Sequence, residues 1–254
     1  MAKVIGLDIG GTKINGVLYD GKKILHELSI VTPKNLYDFE KHVLKLADFL
    51  SAQDRAAGVG IGIAGLVDSA KGMVVRSPNM QFIQNLNLVK FFQKNGYKNV
   101  KVDNDANCFT RYEQLKGLGT KHKNFIALTL GTGIGGGIVT GGQIYRGAKN
   151  AGAELGHIVV NGQYLEDLFK PARDSRNNVA LGKILGQAFA SFANIFAPEA
   201  IILGGGVATD KTRNFIPLIN KEMRKFLFDH KSPVKILVSK QKKAGALGAA
   251  LQVL

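Results

Sequence analysis

Apolar positions along the chain follow two periods. Leu36, Phe39, Val43, Leu46 and Leu50 fall at three-to-four spacing, which predicts an amphipathic helix over residues 35–50. The same period returns over Val179–Phe196 through Leu181, Leu185, Phe189, Phe192 and Phe196. Short continuous apolar runs read as buried strands at Val59–Ala64, Val100–Val102, Phe125–Leu130, Ala200–Leu203 and Lys235–Ser239. Residues 106–116 are expected to be helical, and the small apolar segment Ala244–Val253 to pack as a last helix.

One pattern occurs twice. Residues 5–21 and 126–142 each read as an apolar strand, a Gly-rich turn, a second strand and another turn. At an offset of 121, Ile5/Ile126, Leu7/Leu128, Gly10/Gly131, Gly16/Gly137 and Gly21/Gly142 coincide. A repeat at half the chain length predicts two similar domains, residues 1–112 and 113–254, with 244–254 packing back on the first. Hairpins combined with β-α-β units predict an α/β protein with mixed sheets.

Composition narrows the class. Among 254 residues, 45% are hydrophobic and 21% charged, which excludes a disordered chain. No apolar run reaches the ~20 residues that cross a bilayer, so no membrane partner is expected. The single cysteine, Cys108, leaves no internal disulfide, and a cytoplasmic setting follows. Net charge is +15, of which residues 211–243 carry ten Lys/Arg and two acids, Glu222 and Asp229. Nucleic acid, anionic small molecules or a solvated surface would each explain that cluster. With no Trp and no strand of clustered aromatics, specific nucleic-acid binding is not expected.

Two turns have the make-up of phosphate cradles: Asp8–Lys13, with Gly10, Gly11 and Thr12, and Gly131–Gly136, with Thr132 and Gly133. Glycine lets backbone amides approach an anion, and threonine adds a hydroxyl donor. Either could equally be a plain hairpin turn; two at matching places favour a polyphosphate. Gly131, Gly133 and Gly136 also satisfy the dinucleotide pattern, but a strand rather than a helix follows, which excludes it. Gly204–Gly206 follows a strand, where glycine admits a nucleotide or serves close packing.

Asp103, Asn104, Asp105 and Asn107 follow the Val100–Val102 strand, at the strand end where open α/β sheets bind ligands. A carboxylate here either takes a proton from an alcohol or caps the next helix; Asp103 or Asn104 could cap and leave Asp105 for chemistry. Glu154 and His157 lie three residues apart between glycines, a pairing that suits a hydroxyl-rich ligand. Asn79 could add an amide or simply form a turn. His26, His42, His122 and His230 read as surface residues.

Taken in order and spacing, these segments resemble the sugar kinases of the ROK family, within the actin-like superfamily. The motifs are Asp8–Lys13, Asn104–Asn107, Leu130–Gly137, Gly141–Gly147, Ala153–His157, Ile201–Val207 and Ala244–Ala250. The resemblance implies two actin-like (ribonuclease H-like) domains, with the active site in the cleft between them. It implies Asp105 as general base, and Gly65, Asn79, Asn104, Glu154 and His157 around the sugar. ATP would meet Gly10, Gly11, Thr12, Lys13, Thr132 and Gly133, with Gly205 and Gly206 at the nucleoside and Asp8 positioning Mg²⁺. A homodimer is implied as well.

One departure stands out. Many members carry a Cys-rich zinc loop after the histidine, whereas here Asn161–Glu166 is short and cysteine-free, so no structural zinc is expected. Glu166 would take the place of that loop's sugar-contacting glutamate. Compact members without zinc include polyphosphate glucokinases, so polyphosphate stands as an alternative donor to ATP. The expected reaction is phosphorylation of a hexose, foremost glucose, with fructose, mannose and N-acetylhexosamines as alternatives. Rival classes are a sugar-sensing regulator of this family without its DNA-binding domain, and an actin-like assembly or chaperone ATPase.

Overall fold

A computed structural model describes residues 2–229 and 234–254; His230, and Lys231 of the basic cluster, lie outside the described residues. The chain divides into two compact units. One comprises Met1–Tyr112, Arg146–Gly152 and Lys243–Leu254; the other comprises Glu113–Tyr145 and Ala153–Lys242. Residues 146–152 thus belong with the N-terminal unit, although they fall within the span expected for the C-terminal domain.

The first unit opens with β1 (Val4–Ile9), β2 (Lys13–Tyr19), β3 (Ile24–Val31) and helix α1 (Leu36–Gln53). Next come β4 (Val59–Ile63), the hairpin β5 (Leu66–Asp68) and β6 (Met73–Arg76), α2 (Leu88–Lys94), β7 (Val100–Asn104) and α3 (Asp105–Leu115). The sheet runs β3-β2-β1-β4-β7, antiparallel across the first three strands and parallel across the last three. Asn35 caps α1 by accepting from the Asp38 amide, and Phe39, Val43, Leu46 and Leu50 turn inward. These are four of the five positions predicted from spacing; the fifth, Leu36, is the first helical residue and is exposed.

The second unit repeats the plan. Its strands are β8 (Phe125–Leu130), β9 (Ile134–Thr140), β10 (Gln143–Ile144), β11 (Val159–Val160) and β12 (Gln163–Tyr164). Helices α4 (Leu165–Asp174) and α5 (Asn178–Phe196) precede β13 (Ala200–Gly204), α6 (Gly205–Thr209), α7 (Ile216–Met223) and β14 (Lys235–Val238). The sheet order β10-β9-β8-β13-β14 has the same senses as the first sheet. One detail corrects the repeat. Gly16 stands opposite Leu7, while Gly136, not Gly137, stands opposite Leu128. The second turn is one residue shorter, so the offset falls to 120 past it.

Among the described residues only α5 is long and apolar enough to cross a membrane. Leu181, Leu185, Phe189 and Phe192 bury instead against β8 and β13 residues such as Leu128 and Leu203, so α5 is a core helix. The last helix, α8 (Ala244–Ala250), lies on β1 and β4 of the first unit. It approaches so closely that a Cβ on Gly6 or Gly60 would overlap the carbonyl oxygens of Ala246 or Ala249. Gly60→Ala is therefore expected to cost about 3 kcal/mol, read as a lowered Tm; an unchanged Tm would contradict this packing.

Candidate active site

In the first unit, the β1–β2 turn is closed by the Gly10 amide donating to the Lys13 carbonyl at 3.0 Å. Its carbonyls are all engaged: Gly10 by the Thr32 hydroxyl at 2.6 Å, Gly11 by Lys34 at 3.2 Å and Thr12 by the Thr32 amide at 3.1 Å. The Gly11 and Thr12 amides have no hydrogen-bond partner among the described residues. A Cβ on Gly11 would crowd Asn79, so Asn79 sits beside this turn. Asp8 lies beneath it in a polar network: Ser29 donates to Asn15, and Lys243 reaches Ser29 at 3.0 Å. Burial raises the Asp8 pKa to about 6, against the Asn15 hydrogen bond and the Lys243 charge, which pull it down.

The end of β7 answers the capping question. Asn104 Oδ1 accepts from the amides of Ala106 (2.8 Å) and Asn107 (3.1 Å), and its Nδ2 donates to the Gly65 carbonyl at 2.9 Å. Asn104 is thus the main cap; Asp105 begins α3, and its Oδ1 also accepts from the Ala106 amide at 2.9 Å. Asp103 has a third role that sequence reasoning missed. It is 1% exposed and accepts from Arg111, both Arg146 amino groups, Asn107, Ser69 and the Asn104 amide. Burial pushes its carboxyl up, but Arg146 and Arg111 outweigh that and hold it below the ordinary range. Arg146 therefore fastens its segment to the strand end that carries Asn104 and Asp105.

In the second unit, the β8–β9 turn is closed by the Gly131 amide on the Gly133 carbonyl at 3.0 Å. The Ile134 amide donates to Glu166 at 2.9 Å, and Arg173 Nη1 donates to the carbonyls of Gly131 (3.0 Å) and Thr132. The Thr132 and Gly133 amides have no partner among the described residues. The carboxylate expected at the sugar is thus on this turn. Lys170, 2.7 Å away, and the Ile134 amide hold Glu166 below its usual pKa in spite of burial.

At the place where the resemblance would put a zinc loop, Asn161 (φ 50°) and Gly162 (φ 77°) make a two-residue turn joining β11 and β12. Glu154 and His157 pair at 3.3 Å and are 52% and 55% exposed, so His157 is not a core histidine. Its ring also meets Tyr164 edge-on at 5.6 Å. His26 and His42 are exposed, and His122 pairs with Glu199.

Gly205 and Gly206 behave differently. Gly205 has φ +85°, and a Cβ there would lie 2.5 Å from the Leu130 carbonyl, whereas one on Gly206 would meet open space. Gly206 lines a cavity of about 370 Å³ with Val207, Arg173, Arg176, Asp210 and Arg213. Arg213 Nη1 is buried there without a partner among the described residues. Of the basic cluster at 211–243, Arg213 and Lys243 are half-buried, and the other described members are exposed. The cluster is mainly a solvated surface.

Comparison with known proteins places this arrangement. The model of the ROK family matches residues 4–168 and 167–254. A glucokinase from Thermotoga maritima is 30% identical, over 98% of this chain and 96% of the relative. A ROK family glucokinase from Streptomyces griseus, solved with glucose and AMPPNP, superposes with a TM-score of 0.88 at 26% identity, covering 99% of each chain. An inorganic polyphosphate/ATP-glucomannokinase from Arthrobacter gives a TM-score of 0.82 at 27% identity, over 100% of this chain and 98% of that one. The fold is that of an actin-like sugar kinase. The chain belongs to the ROK family.

Two predictions follow from the local geometry. Gly205→Ala is expected to cost about 1–3 kcal/mol and lower Tm, whereas Gly206→Ala should keep Tm; equal Tm losses would refute the distinction. Asp8 has a folded pKa above its unfolded value, so wild-type stability should fall as pH rises from about 4 through about 6. In metal-free buffer, Asp8→Asn should therefore raise Tm at pH 8 and leave it nearly unchanged at pH 4. A gain that is equal at both pH values would contradict the assignment.

Proposed function

We propose that this sugar kinase is a glucokinase, transferring the γ-phosphate of ATP to the 6-hydroxyl of glucose. The observation that supports it most is the capped turn after β7. Asn104 Oδ1 takes the amides of Ala106 and Asn107, and Asp105 Oδ1 shares only the Ala106 amide at 2.9 Å, so Asn104 carries the cap and sets Asp105 at the head of α3. Asp105 takes the proton from the sugar hydroxyl as its oxygen attacks the γ-phosphorus in line, and the bond to the leaving ADP oxygen breaks. Gly65, Asn79, Asn104, Glu154 and His157 hold the remaining hydroxyls. Held this way, the acceptor competes better than water for the phosphoryl group.

The two turns supply the donor side. Their unpartnered amides at Gly11, Thr12, Thr132 and Gly133 suit phosphate oxygens, and the cavity at Gly206 suits the nucleoside. A carboxylate with a pKa near 6 is ionised at neutral pH, so Asp8 fits a Mg²⁺ ion bound through one carboxylate and the phosphates. When bound, that ion neutralises phosphate charge.

Polyphosphate remains a second donor, because the Arthrobacter glucomannokinase is described as using it and ATP. The mainly solvated basic cluster favours ATP. The reading places the enzyme in the cytoplasm as a homodimer.

A coupled assay over glucose, fructose, mannose and N-acetylglucosamine, with ATP and polyphosphate as separate donors, tests these choices. Glucose with ATP should give the highest kcat/KM. Asp105→Asn is expected to lower kcat roughly 10²–10⁴-fold while glucose binding by calorimetry stays close to wild type. Retained turnover, or preference for another sugar, would overturn the proposal.

A further inference from the structure

The two phosphate-cradle turns are held from outside by different means. In the first unit, Thr32 and Lys34 take the turn carbonyls. In the second, one helix does the same work. Glu166 and Arg173 are seven residues apart on α4, two turns along one face. Glu166 accepts the amide at the far end of the turn, Ile134, and Arg173 donates to the carbonyls at its near end, Gly131 and Thr132. A Cβ on Gly133 would clash with the Glu166 carboxylate, so the turn lies directly on the helix.

We propose that α4 is a brace for the donor-phosphate turn, with Arg173 and Glu166 as its positioning residues. This rests on the kinase reading above. Drawing both carbonyls toward one guanidinium orients the intervening peptides, and the amides of Thr132 and Gly133 are left unpartnered among the described residues. Arg173 is itself held: its Nε meets Asp174 at 2.8 Å, its guanidinium lies 5.8 Å from the Phe169 ring centre, and its carbonyl accepts from Arg213 at 2.8 Å. Lys170 fixes Glu166 from the next turn of α4. The brace gives Glu166 a hold on the β8–β9 turn in addition to the sugar contact that the family resemblance implies for it.

Arg173→Met keeps the bulk over Phe169 and removes the donors; Arg173→Lys restores one. The thermal shift given by AMPPNP, the shift given by glucose, and both KM values are read for each variant, with Glu166→Ala alongside. Arg173→Met is expected to raise the ATP KM at least tenfold and lose most of the AMPPNP shift, while the glucose shift and glucose KM change less than twofold. Arg173→Lys should recover part of the loss, and Glu166→Ala should raise the ATP KM and lower the AMPPNP shift whatever it does to glucose. Wild-type ATP affinity in Arg173→Met, or equal losses for ATP and glucose, would overturn the brace. So would a Glu166→Ala effect confined to glucose. Wild-type protein that shows neither an AMPPNP shift nor phosphoryl transfer would instead remove the kinase reading itself.

Discussion

Buried peptide groups must find partners, and this constraint shapes everything near the site. The turns at the ends of β1 and β8 each close with one internal amide–carbonyl bond, give their other carbonyls to residues outside the turn, and leave two amides each without a partner among the described residues. An unpaired amide near the surface is tolerable where water or a ligand oxygen can reach it. The sheets, with their identical strand orders, present these turns at equivalent places in each unit. What differs is the support beneath: Thr32 and Lys34 of the loop after β3 in one case, α4 in the other.

Close packing of small residues is the second determinant. Gly6 and Gly60 let α8 lie against β1 and β4 with almost no intervening side chains. Lys243, at the start of that helix, reaches the Asn15 and Ser29 pair near Asp8. The electrostatics under the first turn therefore depend on glycines some distance along the same strands. At the end of β7, Asp103 works similarly as a charged hub, joining Arg111 of α3 to Arg146 from a segment 43 residues further along the chain.

Local patterns were legible in the sequence where the physics is local. The glycine turns, the stripe of α1, the stripe of α5 and the cap before α3 all depend on neighbours within a few residues. Helix α4 was not legible, because Pro171 reads as a breaker; it lies inside the helix and costs it one backbone hydrogen bond, which the other contacts of α4 outweigh. Strand β3 was missed too, since most of its residues are at least partly exposed and its alternation is blurred. Arg146 and Arg173 could not be found from spacing at all. Their partners lie about forty residues away, and nothing in a guanidinium's sequence neighbours announces a carbonyl or carboxylate at that distance. The offset of the repeat failed by one residue for a related reason: register is set by turn length, which composition does not reveal.

The Asn161–Gly162 turn has a consequence for how this region comes to be folded. A loop closed by a metal ion reaches its final shape only when the ion is captured, so its maturation depends on supply and on competing chelators in the cell. A two-residue turn between β11 and β12 needs only adjacent residues and closes with little entropy loss. It also delivers the chain into α4 with Tyr164 against His157 and Glu166 under the Ile134 amide. In this chain, then, the geometry beside the β8–β9 turn is encoded in the polypeptide itself and is available as soon as that stretch has been synthesised and collapsed.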